Sequence, residues 1–278
     1  MEQNKKTLTA KIIKTLILGI IGVAMVMPVV WMVSTSFKFE GEVFTFPIQW
    51  IPENPTMNNF TKIFEQFPYW DWYFNTARNT VIIVVFGLLF ASMAGFAFAK
   101  LKFKGKNVVF MLYISAMMIP AEIRLIPQFL MYRKIGLINT FWAAILPWMF
   151  FVGFSIFFMR QAFMAIPDEL IEAAKIDGCG FLGMYYKICL PLVKSSFMAL
   201  GILTFTWGWN DYTGPMIYIS DLTKQVLSVG IASFKAQYSA NYALQMGGAT
   251  LALIPIIIVY LISQKYLIEG VASTGIKG

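Results

Sequence analysis

The sequence predicts an all-α fold: a polytopic membrane protein with six transmembrane helices and one charged helical connector between the fourth and the fifth. Three observations predict it. Of 278 residues, 58% are hydrophobic and 13% are charged, about half the charged share of a soluble domain. Six apolar stretches recur along the chain at the length a bilayer crossing requires, roughly 20 residues. Between the fourth and fifth lies Pro167–Pro191, which carries Asp168, Glu169, Glu172, Lys175, Asp177 and Lys187. That is too much charge for hydrocarbon, so this segment belongs on a wet face.

In chain order, Thr15–Phe37 has no charge and predicts helix one, over 12–37. Lys5, Lys6, Lys11 and Lys14 precede it, as in a signal peptide. The run is nevertheless long enough to span and lacks a small-residue cleavage site, so it is expected to be retained. Asn79–Ala99 predicts helix two. Asn107–Ala121 predicts helix three, continuing past Glu122 and Arg124 to end near Leu125. Ile135–Met159 holds helix four. Ser195–Asn210 gives helix five, which runs past Asp211 to Ser220 and is expected to break at Gly214–Pro215. Ala236–Gln264 contains helix six. The core helices occupy 75–266 and the connector 165–193. No linker, repeat or low-complexity tract interrupts the chain, so one domain, 1–278, is expected.

Basic residues orient the chain. Lys100, Lys102, Lys104 and Lys106 crowd one short loop, and short loops rich in lysine stay on the cytoplasmic side. The segment from Lys38 to Arg78 is acidic instead, with Glu40, Glu42, Glu53, Glu65 and Asp71. Six spans then put both termini and the connector in the cytoplasm. The longest outer loop, Lys38–Asn75, holds Pro47, Pro52, Pro55 and Pro68, which argue for an irregular path with short helical pieces such as Asn58–Gln66. Its aromatics, Trp50, Tyr69, Trp70, Trp72 and Tyr73, suit either a membrane-interface belt or a partner contact.

The connector reads as a short helix. Pro167 suits the helix start, where its missing N–H has no intrahelical partner. Asp168 and Glu169 complement the positive end of the helix dipole. Gly178 suits the left-handed position just past the end. Leu170, Ala173, Ala174 and Asp177 fall on one face at helical spacing, a small, flat face that lets another protein approach closely. Glu172-Ala173-Ala174, then Gly178, then Ile188, Leu190 and Pro191, with Glu169 in the same helix, resemble at every spacing the EAA loop of importer-type ABC permeases. The resemblance implies that this is the coupling helix, which docks into a cleft on a separate ATPase.

Helix five carries Trp207, Trp209, Asn210, Asp211 and Tyr212. Aromatic rings stack on the apolar faces of sugars, and amides and carboxylates bond their hydroxyls. The group reads either as a substrate pathway or as a lock between helices; both keep it away from lipid. Glu122 and Arg124 are read as a hydrated helix end or as lining of the pathway mouth. The WND pattern with Pro215, the GLINT turn at Gly136–Thr140 and the outer-loop string FPIQWIPENPTMNNF resemble the carbohydrate branch of the same permease family. Gly270, Gly275 and Lys277-Gly278 resemble the tail of its maltose-type importers, which reaches into the ATPase pair.

Several classes are excluded. With no histidine, histidine metal sites and triads cannot exist. Cys179 and Cys189 are not at a zinc spacing, and nothing suggests a disulfide. No G-x-x-x-x-G-K-S/T occurs, so the chain has no such cradle for nucleotide phosphates. The charge of +8 comes without a basic cluster typical of nucleic-acid binding and reflects topology. The middles of helices one, two, four and six hold no ionisable group and no inverted repeat is visible, although secondary transporters normally show one or the other. The resemblance implies a non-enzymatic permease in a bacterial or archaeal cell membrane. Its expected partners are a second permease, two ATPases that hold ATP and Mg2+, an external solute-binding protein, the lipid bilayer and a sugar cargo.

Overall fold

The computed structural model describes residues 2–150, 153–237 and 241–275, with side chains described for 11–150, 153–234 and 241–267. Among them the order is α1 (Glu2–Ser36), α2 (Asn58–Gln66), α3 (Tyr69–Lys100), α4 (Lys106–Met117), α5 (Ala121–Lys134), α6 (Phe141–Phe150), α7 (Gly153–Met164), α8 (Asp168–Ile176), α9 (Phe181–Gly183), a π-helical turn (Met184–Cys189), α10 (Leu190–Leu192), α11 (Lys194–Trp209), α12 (Thr213–Tyr218), α13 (Leu227–Gln237) and α14 (Tyr242–Gly275). No strand occurs among the described residues.

Among the described residues, four stretches are long and apolar enough to cross a membrane: Lys11–Ser36, Tyr69–Lys100, Phe141–Met164 and Tyr242–Leu267. Two further pairs qualify only together. Lys106–Met117 and Ala121–Lys134 meet at 96°, and Phe181–Leu192 and Lys194–Tyr218 at 84°. The span count reaches six only if each bent pair counts as one.

The breaks depart from the sequence reading. Helix three stops at Met117 rather than near Leu125, because Pro120, which is extended, has no N–H to continue the helix and disfavours helical geometry in the residue before it. Helix five breaks at Asn210–Tyr212, and Gly214–Pro215 sits in the first turn of α12. A first turn has N–H groups with no intrahelical acceptor, so proline begins a helix there instead of ending one. Helix two starts at Tyr69, earlier than expected, since Asp71 and Arg78 interrupt the apolar pattern without interrupting the helix. Helix four starts at Phe141, after a turn in which Asn139 adopts positive φ. Its residues 151 and 152 lie outside the described set. Helix six starts at Tyr242, and α13 before it was not predicted. The tail residues Gly270 and Gly275 are within α14, while Lys277 and Gly278 lie outside the described residues.

The chain packs as two compact units. One comprises residues 1–67 and 231–253. The membrane window of α1 buries none of its residues. Order is concentrated just after α1. Lys38 is fully buried; its ammonium donates to the Gln49 carbonyl and lies 4.2 Å from the centroid of the Trp31 ring. The Asn59 amide donates to the carbonyls of Ser36 at 2.9 Å and Lys38 at 2.8 Å. Glu40 accepts the Ala243 backbone N–H at 2.8 Å, capping the start of α14. The expected helical piece Asn58–Gln66 is present as α2.

The other unit comprises residues 68–230 and 254–278. Its centre is α3, against which α6, α7 and α11 pack. Gly95 makes the α3–α7 approach possible: a Cβ there would lie 2.7 Å from Met159 Cβ and 2.9 Å from the Arg160 nitrogen. Small residues serve the same purpose wherever membrane helices touch closely. Trp72, read as a belt or contact residue, is instead fully buried and donates its indole N–H to the Leu222 carbonyl at 2.7 Å.

Candidate functional site

The connector is built on two anchors to α3. Lys100, the last residue of α3, has a side chain only 4% exposed. Its ammonium donates to the Ile166 carbonyl at 2.5 Å and to Asp168 Oδ1 at 2.6 Å. The hydrogen bond from Lys100, reinforced by its charge, holds the Asp168 carboxyl below the usual carboxylate range. Further along, the Tyr185 hydroxyl and Ser92 Oγ lie 2.6 Å apart in a buried contact. The connector is therefore tied to α3 at its start and in its π-helical turn.

Between these anchors α8 runs from Asp168 to Ile176, with Pro167 extended just before it. Gly178 has φ +74°, as the sequence requires. The Asp177, Gly178 and Cys179 amides return to the carbonyls of Ala173, Lys175 and Ala174, closing the helix end. The face differs from the expected one. Ala174 is buried with Ile171, packed in the same core as Ile166, Met184, Tyr185 and Cys189. Outward lie Leu170, Ala173, Ile176 and Asp177, with Glu169 and Glu172 beside them. Ile176 is 86% exposed, a large cost in water for a branched apolar side chain. A 3.6-residue period puts positions 170, 173 and 176–177 in one stripe; Ala174 falls on its edge, and packing turns it inward. Ile188 and Leu190 are half-buried against that core, and Pro191 is exposed.

Sequence reasoning missed both anchors. It read Lys100 only as a topological charge. The loop lysines in fact divide. Lys106 donates to the carbonyls of Ala99 and Leu101, satisfying groups at the end of α3, while Lys102 and Lys104 are exposed.

The second candidate region is the break after α11. Of its five predicted residues, four border one hollow and Trp209 does not. Trp209 is buried, with ring centroids 5.6 Å from both Phe205 and Tyr73. The Asn210 amide turns back to the Thr206 carbonyl at 2.9 Å, capping its own helix. Trp207 packs edge-on against Phe154. Asp211 Oδ2 accepts the Trp148 indole N–H at 2.9 Å, and its backbone carbonyl accepts the Ser228 hydroxyl at 2.6 Å. Trp207, Asn210, Asp211 and Tyr212 border an open hollow of about 340 Å³. The Trp148–Asp211 pair separates it from a more enclosed cleft of about 300 Å³, which Glu122 and Arg124 also line. Among the described residues no group of side chains could hold a metal ion.

The family model for binding-protein-dependent transport system inner membrane components matches residues 83–273. The chain belongs to this family. It is 36% identical over 256 residues to the arabinooligosaccharides transport system permease protein of Halalkalibacterium halodurans, covering 91% of each chain. It is 30% identical over 272 residues to the melibiose/raffinose/stachyose import permease protein of Bacillus subtilis, covering 95% of this chain and 96% of that one. Among solved structures, it resembles a bacterial ABC transporter involved in the import of the acidic polysaccharide alginate. That match has TM-score 0.78 and 26% identity, covering 92% of this chain and 95% of the other. The chain is thus an inner-membrane permease component of a binding-protein-dependent transport system.

Proposed function

We propose that this permease is one of two related subunits forming the pathway of an ATP-driven importer for a sugar or oligosaccharide, worked by separate ATPases through α8. The observation that carries the coupling role is the outward stripe Leu170, Ala173, Ile176 and Asp177 on a helix whose other face is fixed in the core. An apolar stripe with two carboxylates beside it, held rigid from behind, suits insertion into a protein cleft. The near-full-length relatives named for oligosaccharide transport support the cargo class.

In this reading ATP and Mg2+ bind to the ATPases. Their closure moves α8, and the two anchors pass the displacement to α3. The packed helices then switch the pathway between inward-facing and outward-facing states. Glu169, Glu172 and Asp177 bond at the rim of the ATPase cleft, Ala173 and Ile176 fill it, and Ala174, Gly178, Ile188, Leu190 and Pro191 fix the connector's shape. Trp207, Asp211 and Tyr212 line the pathway, with Trp209 and Asn210 supporting them. An external binding protein delivers the sugar, and both termini and α8 lie in the cytoplasm.

The test is Ile176→Asp, which changes the outward stripe and leaves the core intact. The expected result is a folded permease that no longer retains the ATPases on purification and no longer imports. Normal retention and uptake in that variant would overturn the docking assignment. A transporter stimulated by amino acids or phosphate, and by no saccharide, would overturn the cargo.

A further inference from the structure

The enclosed cleft beyond the Trp148–Asp211 pair is formed by α5, α6 and α12, all in one compact unit. We infer that it is a subsite for one ring of a neutral saccharide, carried on this subunit itself. The inference rests on the sugar-importer reading above and names a site within it.

The decisive group is Tyr218. Its side chain lines the cleft and is 2% exposed, yet its hydroxyl has no hydrogen-bond partner among the described residues. Its ring is fixed edge-to-face against Tyr132, with centroids 5.3 Å apart. A buried hydroxyl left unpaired is costly, so each such group in a folded protein calls for a partner or a role. Tyr218 is not alone in the cleft. Asp211 is held by the Trp148 indole N–H at 2.9 Å and by the Gly214 backbone N–H. A carboxylate has acceptor capacity beyond two bonds, so Asp211 can also take a sugar hydroxyl. Trp148 lines the same cleft and offers aromatic surface for the apolar C–H face of a ring. Tyr218, the Asp211 carboxylate and the Trp148 indole all border this one small hollow, and hydroxyl, carboxylate and aromatic surface are the mixture a polyhydroxylated ring needs. The volume, about 300 Å³, lies at the lower end of the range for small-molecule pockets, which argues for a single ring.

Charge selects among sugars. The cleft is lined by two carboxylates, Glu122 and Asp211, and one guanidinium, Arg124. A uronate would bring the negative charges to three, with Arg124 alone to offset them, and like charges at such separations repel. The ring accepted here is therefore neutral, unlike the acidic cargo of the alginate transporter whose fold this chain shares.

The experiment uses the complete transporter with its partner permease, ATPases and binding protein in liposomes. Uptake is measured for arabinotriose, raffinose and an alginate trisaccharide. The wild type is expected to import at least one neutral saccharide and no alginate fragment. Tyr218→Phe removes one hydroxyl and keeps the stacked ring. It is expected to raise KM about fivefold, the effect of losing one hydrogen bond, with thermal stability unchanged or raised. Asp211→Asn is expected to raise KM by tenfold or more, as for a bond to a charged group. The control is Thr204→Val, because Thr204 Oγ1 is also buried without a partner among the described residues but does not line the cleft. Its KM should match the wild type. If neutral sugars are imported and Tyr218→Phe and Asp211→Asn leave KM unchanged, the subsite is wrong while the sugar reading stands. Import of the alginate fragment in preference to neutral sugars removes the charge argument and the inference with it. Import of no saccharide removes both readings.

Discussion

Replacing Lys100 by methionine keeps the length of the side chain and removes the ammonium that ties the connector to α3. Two bonds go at once, to the Ile166 carbonyl and to Asp168. They are unequal. Ile166 is 6% exposed, so its carbonyl loses a charge-assisted bond in a place water reaches poorly. Such bonds contribute about 1.5–3 kcal/mol. The Asp168 carboxylate is exposed and rehydrates freely, so it adds nothing to that figure. At 1.4 kcal/mol per factor of ten, the docked arrangement of the connector start loses roughly ten- to a hundredfold in population. The assay is hydrogen exchange across 166–176, together with sugar imported per ATP hydrolysed by the reconstituted transporter. Exchange should rise through the start of α8, and transport should fall relative to hydrolysis. Asp168→Asn, which keeps the Ile166 bond, should show a much smaller effect. Unchanged exchange and unchanged coupling in Lys100→Met would refute the reasoning, because the connector would then be held by its apolar core alone.

Three further outcomes follow. Because the folded-state pKa of Asp168 is depressed, its contribution is present above the ordinary carboxylate pKa and lost as pH falls through the lowered value; exchange at the start of α8 should therefore stay flat through neutral and mildly acidic pH and rise only below the usual carboxylate range. Gly95→Val places carbon 2.7 Å from Met159 Cβ, and should destabilise the α3–α7 contact by about 1–3 kcal/mol, read as a lower thermal midpoint in detergent. Tyr185→Phe removes the buried contact with Ser92 and should cost about 1 kcal/mol, seen as faster exchange in the π-helical turn without loss of assembly.

The two ends of α8 were legible because each depends on local chemistry: proline and carboxylates at the start, glycine at positive φ after the end. The apolar runs were legible for the same reason, since length and lack of charge are properties of the segment itself. What the sequence did not disclose depends on neighbours. Ala173 and Ala174 are identical side chains, and only the core formed by Met184, Tyr185 and Cys189 decides that Ala174 turns inward. Lys100 looked like its loop companions until the chain brought Ile166 and Asp168 to it. In the break after α11, Gly214–Pro215 carried the stronger local signal for an interruption. The interruption instead falls at Asn210–Tyr212, where an asparagine caps one helix and the proline starts the next. Of the five residues grouped there by sequence proximity, four border one hollow, while Trp209 turns into the packed interior against Phe205 and Tyr73.

That break has a mechanical meaning. The Thr206 carbonyl is already claimed by the Asn210 amide and backbone, and Pro215 needs no acceptor. The step from α11 to α12 therefore strands no peptide group. Asp211 secures the near end of α12 through the Trp148 indole on its carboxylate and the Ser228 hydroxyl on its carbonyl, and the far end is pinned where the Asn139 N–H donates to the Tyr218 carbonyl and the Gln225 amide to the Ile219 carbonyl. One aspartate is thus the weld at the elbow, and whatever competes for its oxygens acts on the joint itself.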